Sequence, residues 1–521
     1  MNRRSFIFNT LFISTLYSQC KQKLIEYTFR ILGKNHILGH KLYANQFPKP
    51  TETIHKDLVI IGGGISGLSA ARALEKRHIS DYLILEMEHK IGGNASSSEN
   101  QYSKYPLGAH YIPLPNIEHK ELIELLTEAH IITGFDQENF PIYDELSLAF
   151  DPMERIYYKN RWHEGLLVKS NEQHTQSISN FFSKMEFFRK ERGFDHKYIF
   201  NIPIDEGSID TQYDYLDQIS MKEWLIHEKL ACEELDEYVN YCCRDDYGLG
   251  HEFISAWAGI HYFASRKFNS TPKPTDSVLT WAEGNGKLAS YLHTFSKEKT
   301  IHNALAYQIK VEQNSVSILY WDDKNKKSVE IISKQVIMAT PQFINKYLIK
   351  NRNSEAFTYA PWFVATIVLK PFSMDDNAPL SWENIIYKGQ GLGFVNDMHQ
   401  SLSQEKTPMV WTYYYSYNSS DTKEDRKKLY KSSESELKTI IIQDLKTAYP
   451  LIEEYIISIE LYKIGHGMIA PTLGFIKGNE RKNAAQSIDN KIHFCHTDIS
   501  GISIFEEAFY RGNMIGSTIN L

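Results

Sequence analysis

DLVIIGGGISGLSAARALE, residues 57–75, decides the fold. Leu58 to Ile61 form an unbroken apolar run, which a parallel strand buried on both faces requires. Gly62, Gly64 and Gly67 follow as GxGxxG. Gly62 permits the tight turn, Gly64 lets the backbone approach a pyrophosphate, and Gly67 lets helix pack closely on strand. Ile65 and Ser66 open a helix whose free N–H groups and positive dipole end face the phosphates. Its small residues Ala70, Ala71 and Ala73 face the sheet. A second strand, Tyr82 to Leu85, ends at Glu86, where an acid accepts hydrogen bonds from ribose hydroxyls and disfavours an added phosphate. A lone GxGxxG is weak, but strand, glycine loop, helix, second strand and acid together predict a dinucleotide-binding unit.

Working outward, the chain reads MEHKIGGNASS after Glu86, pairing Gly92 with Gly93. YPLGAHYIPLPN carries Gly108, Ala109 and His110. Val336 to Ala339 is an apolar strand, and the strand-like stretches of 301–334 before it are split by the turn DDKNKK. Near the carboxyl end, Ile492 to Cys495 predicts a strand, followed by HTDISGISIFEEAFYRG. Ser503 and Glu506 fit a capping box, which predicts a helix from Ser503.

Together these segments resemble the flavin amine oxidase superfamily of monoamine, polyamine and L-amino acid oxidases and phytoene desaturase relatives. Within it they resemble a bacterial group of FAD-dependent, NAD(P)-binding oxidoreductases with twin-arginine signals. The resemblance implies noncovalent FAD. Gly92, Gly93 and Asn94 then sit at the second glycine motif. Many members carry an arginine where Asn94 stands, so the pyrophosphate leans on backbone amides and Ser96 or Ser97. Gly108 and Ala109 fall against the flavin, and Ala304 or Leu305 against adenine. Asp498 holds the ribitol chain. Phe505 lies in a helix whose N-terminus faces flavin N1 and O2, where a dipole stabilises the charge of reduction by up to ~2 kcal/mol. His110 reads either as an active-site group titrating near neutral pH or as a core histidine satisfied by backbone. His466, in IGHGMIAPTLG, reads as a flavin- or substrate-facing group or as a structural residue. These two histidines are the catalytic candidates; no metal site is expected. One departure stands out: many amine oxidases place a lysine where PWFVATIVLKP has Ala365 or Thr366, with Lys370 four or five residues later.

The fold expected is α/β: a discontinuous Rossmann-like FAD-binding domain (57–130, 279–345 and 456–521) plus an α+β substrate domain (131–278 and 346–455). With 521 residues, two joined domains fit better than one core. A net charge of -7 gives no footprint for nucleic acid. Five cysteines make no CxxC or zinc spacing, and adjacent Cys242 and Cys243 read as two buried thiols or a strained disulfide. The start, MNRRSFIFNTLFISTLYSQC, resembles a twin-arginine signal through Arg3, Arg4 and Phe6. Its apolar stretch is shorter than the ~20 residues a membrane span needs. Export to a periplasmic or membrane-associated location is the expectation, with Cys20 a candidate lipid anchor and the export machinery a partner. Residues 21–56 read as a linker or arm.

Functionally the pattern predicts an oxidoreductase moving hydride to flavin N5 from a small molecule's C–H, next to an amine. The alternatives are an FAD-linked C–C desaturase using an acceptor other than oxygen, and a non-catalytic envelope flavoprotein.

Overall fold

The computed structural model describes residues 27–168, 170–273, 275–374, 378–402 and 407–521. The twin-arginine stretch and Cys20 lie outside the described residues. Among the described residues, no helix is long and apolar enough to cross a membrane.

Leu58, Val59 and Ile60 are fully buried, and their strand, Glu52–Ile61, sits at the middle of a seven-stranded sheet. It pairs in parallel with Tyr82–Leu85 on one side and Lys327–Met338 on the other. The strand Ile492–Phe494 adds in parallel to the far end of Lys327–Met338. Val316–Asp322 and Ala304–Val311 complete the sheet as an antiparallel meander. The helix Ile65–Lys76 crosses back over the sheet from the glycine loop.

The C-terminal helix Phe505–Thr518 lies along Ile65–Lys76, and small residues make this possible. A Cβ at Gly512 would stand 2.0 Å from Ser66 O, and one at Gly516 2.5 Å from Ala70 O. Rising numbers meet rising numbers, so the two helices run in the same direction. Gly512→Ala therefore forces backbone apart and is expected to destabilise by about 1–3 kcal/mol. Thermal unfolding against wild type checks this, and an unchanged Tm rejects the close crossing.

The second sheet has eight strands, in the order Thr28–Gly33, Ile456–Ile469, Tyr359–Leu369, Met409–Ser416, Phe394–Asn396, Glu383–Ile386, Glu154–Tyr158 and Arg161–Glu164. Every residue of Tyr359–Leu369 is buried. The helices Glu172–Lys190, Glu233–Tyr247 and Ala256–Ala264 pack beside one another within the large core that this sheet shares.

Three expectations about boundaries are corrected. Ile456–Ile469, assigned from sequence to the nucleotide domain, pairs with Tyr359–Leu369 in the second sheet; its alternation suits either sheet, and pairing decides. The arm 21–56 is not featureless, since Thr28–Gly33 is a strand and Glu52 already belongs to the first sheet. No capping box forms at Ser503. The helix begins at Phe505 with Ile504 as N-cap and no side-chain cap; Glu506, the expected capping partner, is instead buried in the field of Arg266.

Candidate functional site

At the glycine loop, Gly62 adopts φ +108, where a Cβ would meet Ala339 O at 2.8 Å. Gly67 is tighter: its Cβ would fall 2.0 Å from Gly62 O. Gly64 differs from both. Its backbone is extended, it caps Ile65–Lys76 without a side-chain bond, and the nearest atom to its Cβ would be Gly93 Cα at 3.9 Å. Open space thus faces the free N–H groups of Ile65, Ser66 and Gly67.

The second glycine pair closes this space from the other side. Gly92 N donates to Gly63 O at 2.8 Å, which sets Gly93 opposite Gly64. Gly92 and Gly93 both take positive φ. Glu86 is buried and bidentate: Oε2 accepts from Gly63 N at 2.7 Å and Oε1 from Glu88 N at 2.8 Å. Ala304 N donates to Glu86 O at 2.9 Å, bringing buried Leu305 to the same end. Ser96 is unavailable as a phosphate donor, because its hydroxyl donates to Gly93 O at 2.9 Å.

From Gly93 the line continues away from Glu86. Ala109 N donates to Asn94 O at 2.9 Å, and the Asn94 side chain donates to Gly467 O. Tyr414 hydroxyl donates to Gly108 O at 3.0 Å. Phe505 precedes Gly512 by seven residues, so the uncapped end of its helix projects about 10 Å past Ser66 at 1.5 Å per residue. Glu86, Gly64, Gly93, Asn94 and Ala109 therefore lie in sequence along one groove, with a free helix N-terminus beyond. A glycine cradle with space in front, donors without partners and an acid at one end fit an extended dinucleotide.

Asp498 is buried and bonded within the protein. Oδ2 accepts from Gln342 N at 2.6 Å and from the Tyr359 hydroxyl, while Oδ1 pairs with His496 Nδ1 at 3.0 Å. It ties the end of Lys327–Met338 to the C-terminal segment.

The two histidines separate. His110 is buried, and its Nε2 has no hydrogen-bond partner, so the reading as a backbone-satisfied core histidine fails at that atom. Burial pulls its pKa down to about 3, which corrects the expectation of titration near neutrality. It lines a cavity with Trp382, Asp397 and Thr280, and its ring lies 4.9 Å from that of Tyr414. His466 is not among the residues lining that cavity. It stacks on Phe343 at 3.7 Å, and burial pulls its pKa down to about 2. Lys370 is exposed just past the end of Tyr359–Leu369, while Thr366 is buried opposite Thr412, whose hydroxyl donates to buried Asp397 at 2.6 Å.

Sequence reading missed a group of carboxylates beyond His110. Glu383 is buried and Glu154, Asp245 and Asp246 are half-buried. Tyr241 donates to Glu383, and Tyr111 donates to Asp245 at 3.5 Å. Arg266 is the cation facing the two aspartates, 3.5 Å from Asp246. Burial, then the charge of Glu154, pushes Glu383 up to about 8; burial, then Asp276, pushes Glu154 up to about 7. Aromatic rings lie beside them, with Tyr111 and Trp382 5.7 Å apart at 86°. These acids come from Glu154–Tyr158, Glu233–Tyr247 and Glu383–Ile386, and no local motif joins them. The adjacent Asp245-Asp246 pair was the one visible signal.

The groove and its second domain define a two-domain dinucleotide-binding protein. Comparison makes this more specific. Residues 60–137 match the NAD(P)-binding Rossmann-like domain family. Over 115 residues the chain is 29% identical to a flavin-containing amine oxidase of Oncorhynchus mykiss, covering 20% of this chain and 22% of that protein. The match therefore spans about a fifth of that relative's length. Putrescine oxidase bound to putrescine superposes over 90% of this chain and 99% of its own, with TM-score 0.65 and 16% identity. Cyclohexylamine oxidase from Brevibacterium oxydans IH-35A gives TM-score 0.63 and 13% identity over 89% and 98%. The chain thus shares the fold of these amine oxidases, and its nucleotide-binding segment is similar in sequence to flavin-containing amine oxidases.

Proposed function

We propose that the protein is an FAD-dependent oxidoreductase acting on a small cationic amine. The observation that carries the reading is the buried carboxylate group that Tyr111 and Trp382 connect to His110. Asp245 and Asp246 face one arginine, with Glu383 and Glu154 beside them, and so crowded a set of buried carboxyls is relieved by protonation or by a bound cation. An alkylammonium fits: carboxylates pair with its charge, and the faces of Tyr111, Trp382 and Tyr414 favour it further.

Bound FAD supplies a two-electron acceptor. Gly64, Gly93 and the first-turn amides of Ile65–Lys76 would hold its pyrophosphate, and Glu86 its ribose. The acids orient the substrate nitrogen. Glu383, with its pKa near neutrality and the Tyr241 hydroxyl bonded to it, is placed to take a proton from the ammonium. His110 stays neutral and offers an uncharged hydrogen-bonding nitrogen to the cavity. The aromatic walls exclude water.

The test is anaerobic mixing of the purified flavoprotein with mono- and diamines, amino acids and apolar C–H donors. Bleaching of the flavin band by amines, with peroxide on admitting air, is expected. Bleaching by apolar donors but not by amines would overturn the reading.

A further inference from the structure

Residues 27–47 run across one end of the cofactor groove. The strand Thr28–Gly33 joins the edge of the second sheet in parallel, opposite Ser458–Lys463. The chain then leaves that sheet and turns through two short helices, His36–Gly39 and Lys41–Ala44. Along this path it meets the end of the groove bounded by Glu86–Glu88 and the meander. Asn35 N donates to Glu88 Oε1 at 2.8 Å, and Asn35 Oδ1 accepts from Leu38 N at 3.1 Å. Burial pulls the pKa of half-buried Lys34 down, against the nearby Glu88 and Glu86 carboxylates.

Two further contacts fix the segment from the meander side. Lys41 Nζ lies 3.4 Å from Asp323 Oδ1. Phe47 stacks on Tyr307 with centroids 4.0 Å apart and planes at 8°. Leu38 and Leu42 are buried, at 3% and 6% exposure. A passive tether would leave its apolar side chains in water and make no contact with the acid at the ribose position. This segment instead buries Leu38 and Leu42, while Ile31, Leu32, Ile37 and Tyr43 stay exposed, and its Asn35 N–H reaches Glu88, whose own N–H donates to Glu86.

We propose that residues 28–47 are part of the cofactor site, a strap latched by Lys34, Asn35 and Leu38 that closes over the adenosine end and controls release of the dinucleotide. The proposal rests on the reading of that groove as an FAD site. Closure by the strap acts on escape of a bound molecule, which is where most affinity differences arise. Glu88 also joins strap to site, because its carboxylate accepts from Asn35 N while its own N–H donates to Glu86.

FAD release from the holoprotein tests it, followed as the rise of free-flavin fluorescence after dilution. Hydrogen exchange of residues 28–47 is measured with and without FAD. Lys34→Ala and Leu38→Asp are expected to release FAD about tenfold faster or more, and FAD is expected to slow exchange across 33–44. A release rate within twofold of wild type in either variant, with exchange showing the strap loosened, overturns the proposal. Should Leu38→Asp fail to fold, Lys34→Ala alone decides, since a half-buried side chain is removed without a cavity in the core. A wild-type protein that binds no flavin fails the cofactor reading itself, a separate outcome.

Discussion

Gly64→Glu is expected to give a folded chain that retains no FAD. Nothing in the fold opposes the substitution: the Gly64 backbone is extended, and a Cβ meets its nearest neighbour at 3.9 Å. A carboxylate at a helix N-terminus even favours the apo helix by about 0.3–1 kcal/mol. The same carboxylate fills the space before the first-turn amides and repels a pyrophosphate. Leaving a desolvated charge uncompensated costs about 3–5 kcal/mol, a loss of more than about a hundredfold in affinity. Flavin content after gel filtration measures the loss, and circular dichroism confirms the fold. Full flavin content would reject the groove as the site. Gly67→Ala makes the contrast, because its Cβ lands on Gly62 O and attacks the fold itself.

Glu383→Gln should remove most turnover of amines while sparing flavin content. Deleting one partner of a buried, hydrogen-bonded charge pair costs about 2–5 kcal/mol, or roughly 30- to several-thousand-fold in kcat/KM. The pH profile adds a second reading. Below about pH 8 wild-type Glu383 is largely protonated, so binding of an unreactive amine should tighten as pH rises through 7–8 and release a proton. The stability of the unliganded protein runs the other way. A carboxyl raised in the folded state binds more protons folded than unfolded, so its contribution falls as pH rises from its ordinary value toward about 8. Glu383→Gln should flatten both slopes. A wild-type-like pH profile in the variant would assign the titration to another group.

The nucleotide half of the molecule was legible because its chemistry is local. Gly62, Gly64, Gly67 and Glu86 are spaced by one strand–turn–helix–strand unit, and the structure sets them as that spacing requires. The helix start at Ser503 misled because a capping box is a local pattern that tertiary context can override, and Glu506 is instead buried in the field of Arg266. His110 was found by its place after Gly108-Ala109, yet burial sets its pKa, and burial is not written beside it. The carboxylates were out of reach for the same reason. Glu154 and Glu383 become neighbours through a parallel strand pair, Glu383↔Glu154, and no pattern within either strand announces the other. The arm was hardest to read, since Thr28–Gly33 is mostly exposed and its alternation carries no burial signal.

That exposed strand also sets an order of events in time. Arg30 pairs with Glu460, 430 residues further along the chain. During synthesis the strap emerges first but cannot dock until its partner strand exists, about 20–90 seconds later at 5–20 residues per second. The glycine cradle also waits, because its strand pairs with Lys327–Met338, so it stays uncovered for the last stretch of synthesis, about 6–25 seconds. Loading of the nucleotide before the door is hung becomes the kinetically easy route, and a chain that misses that window must wait for the strap to open.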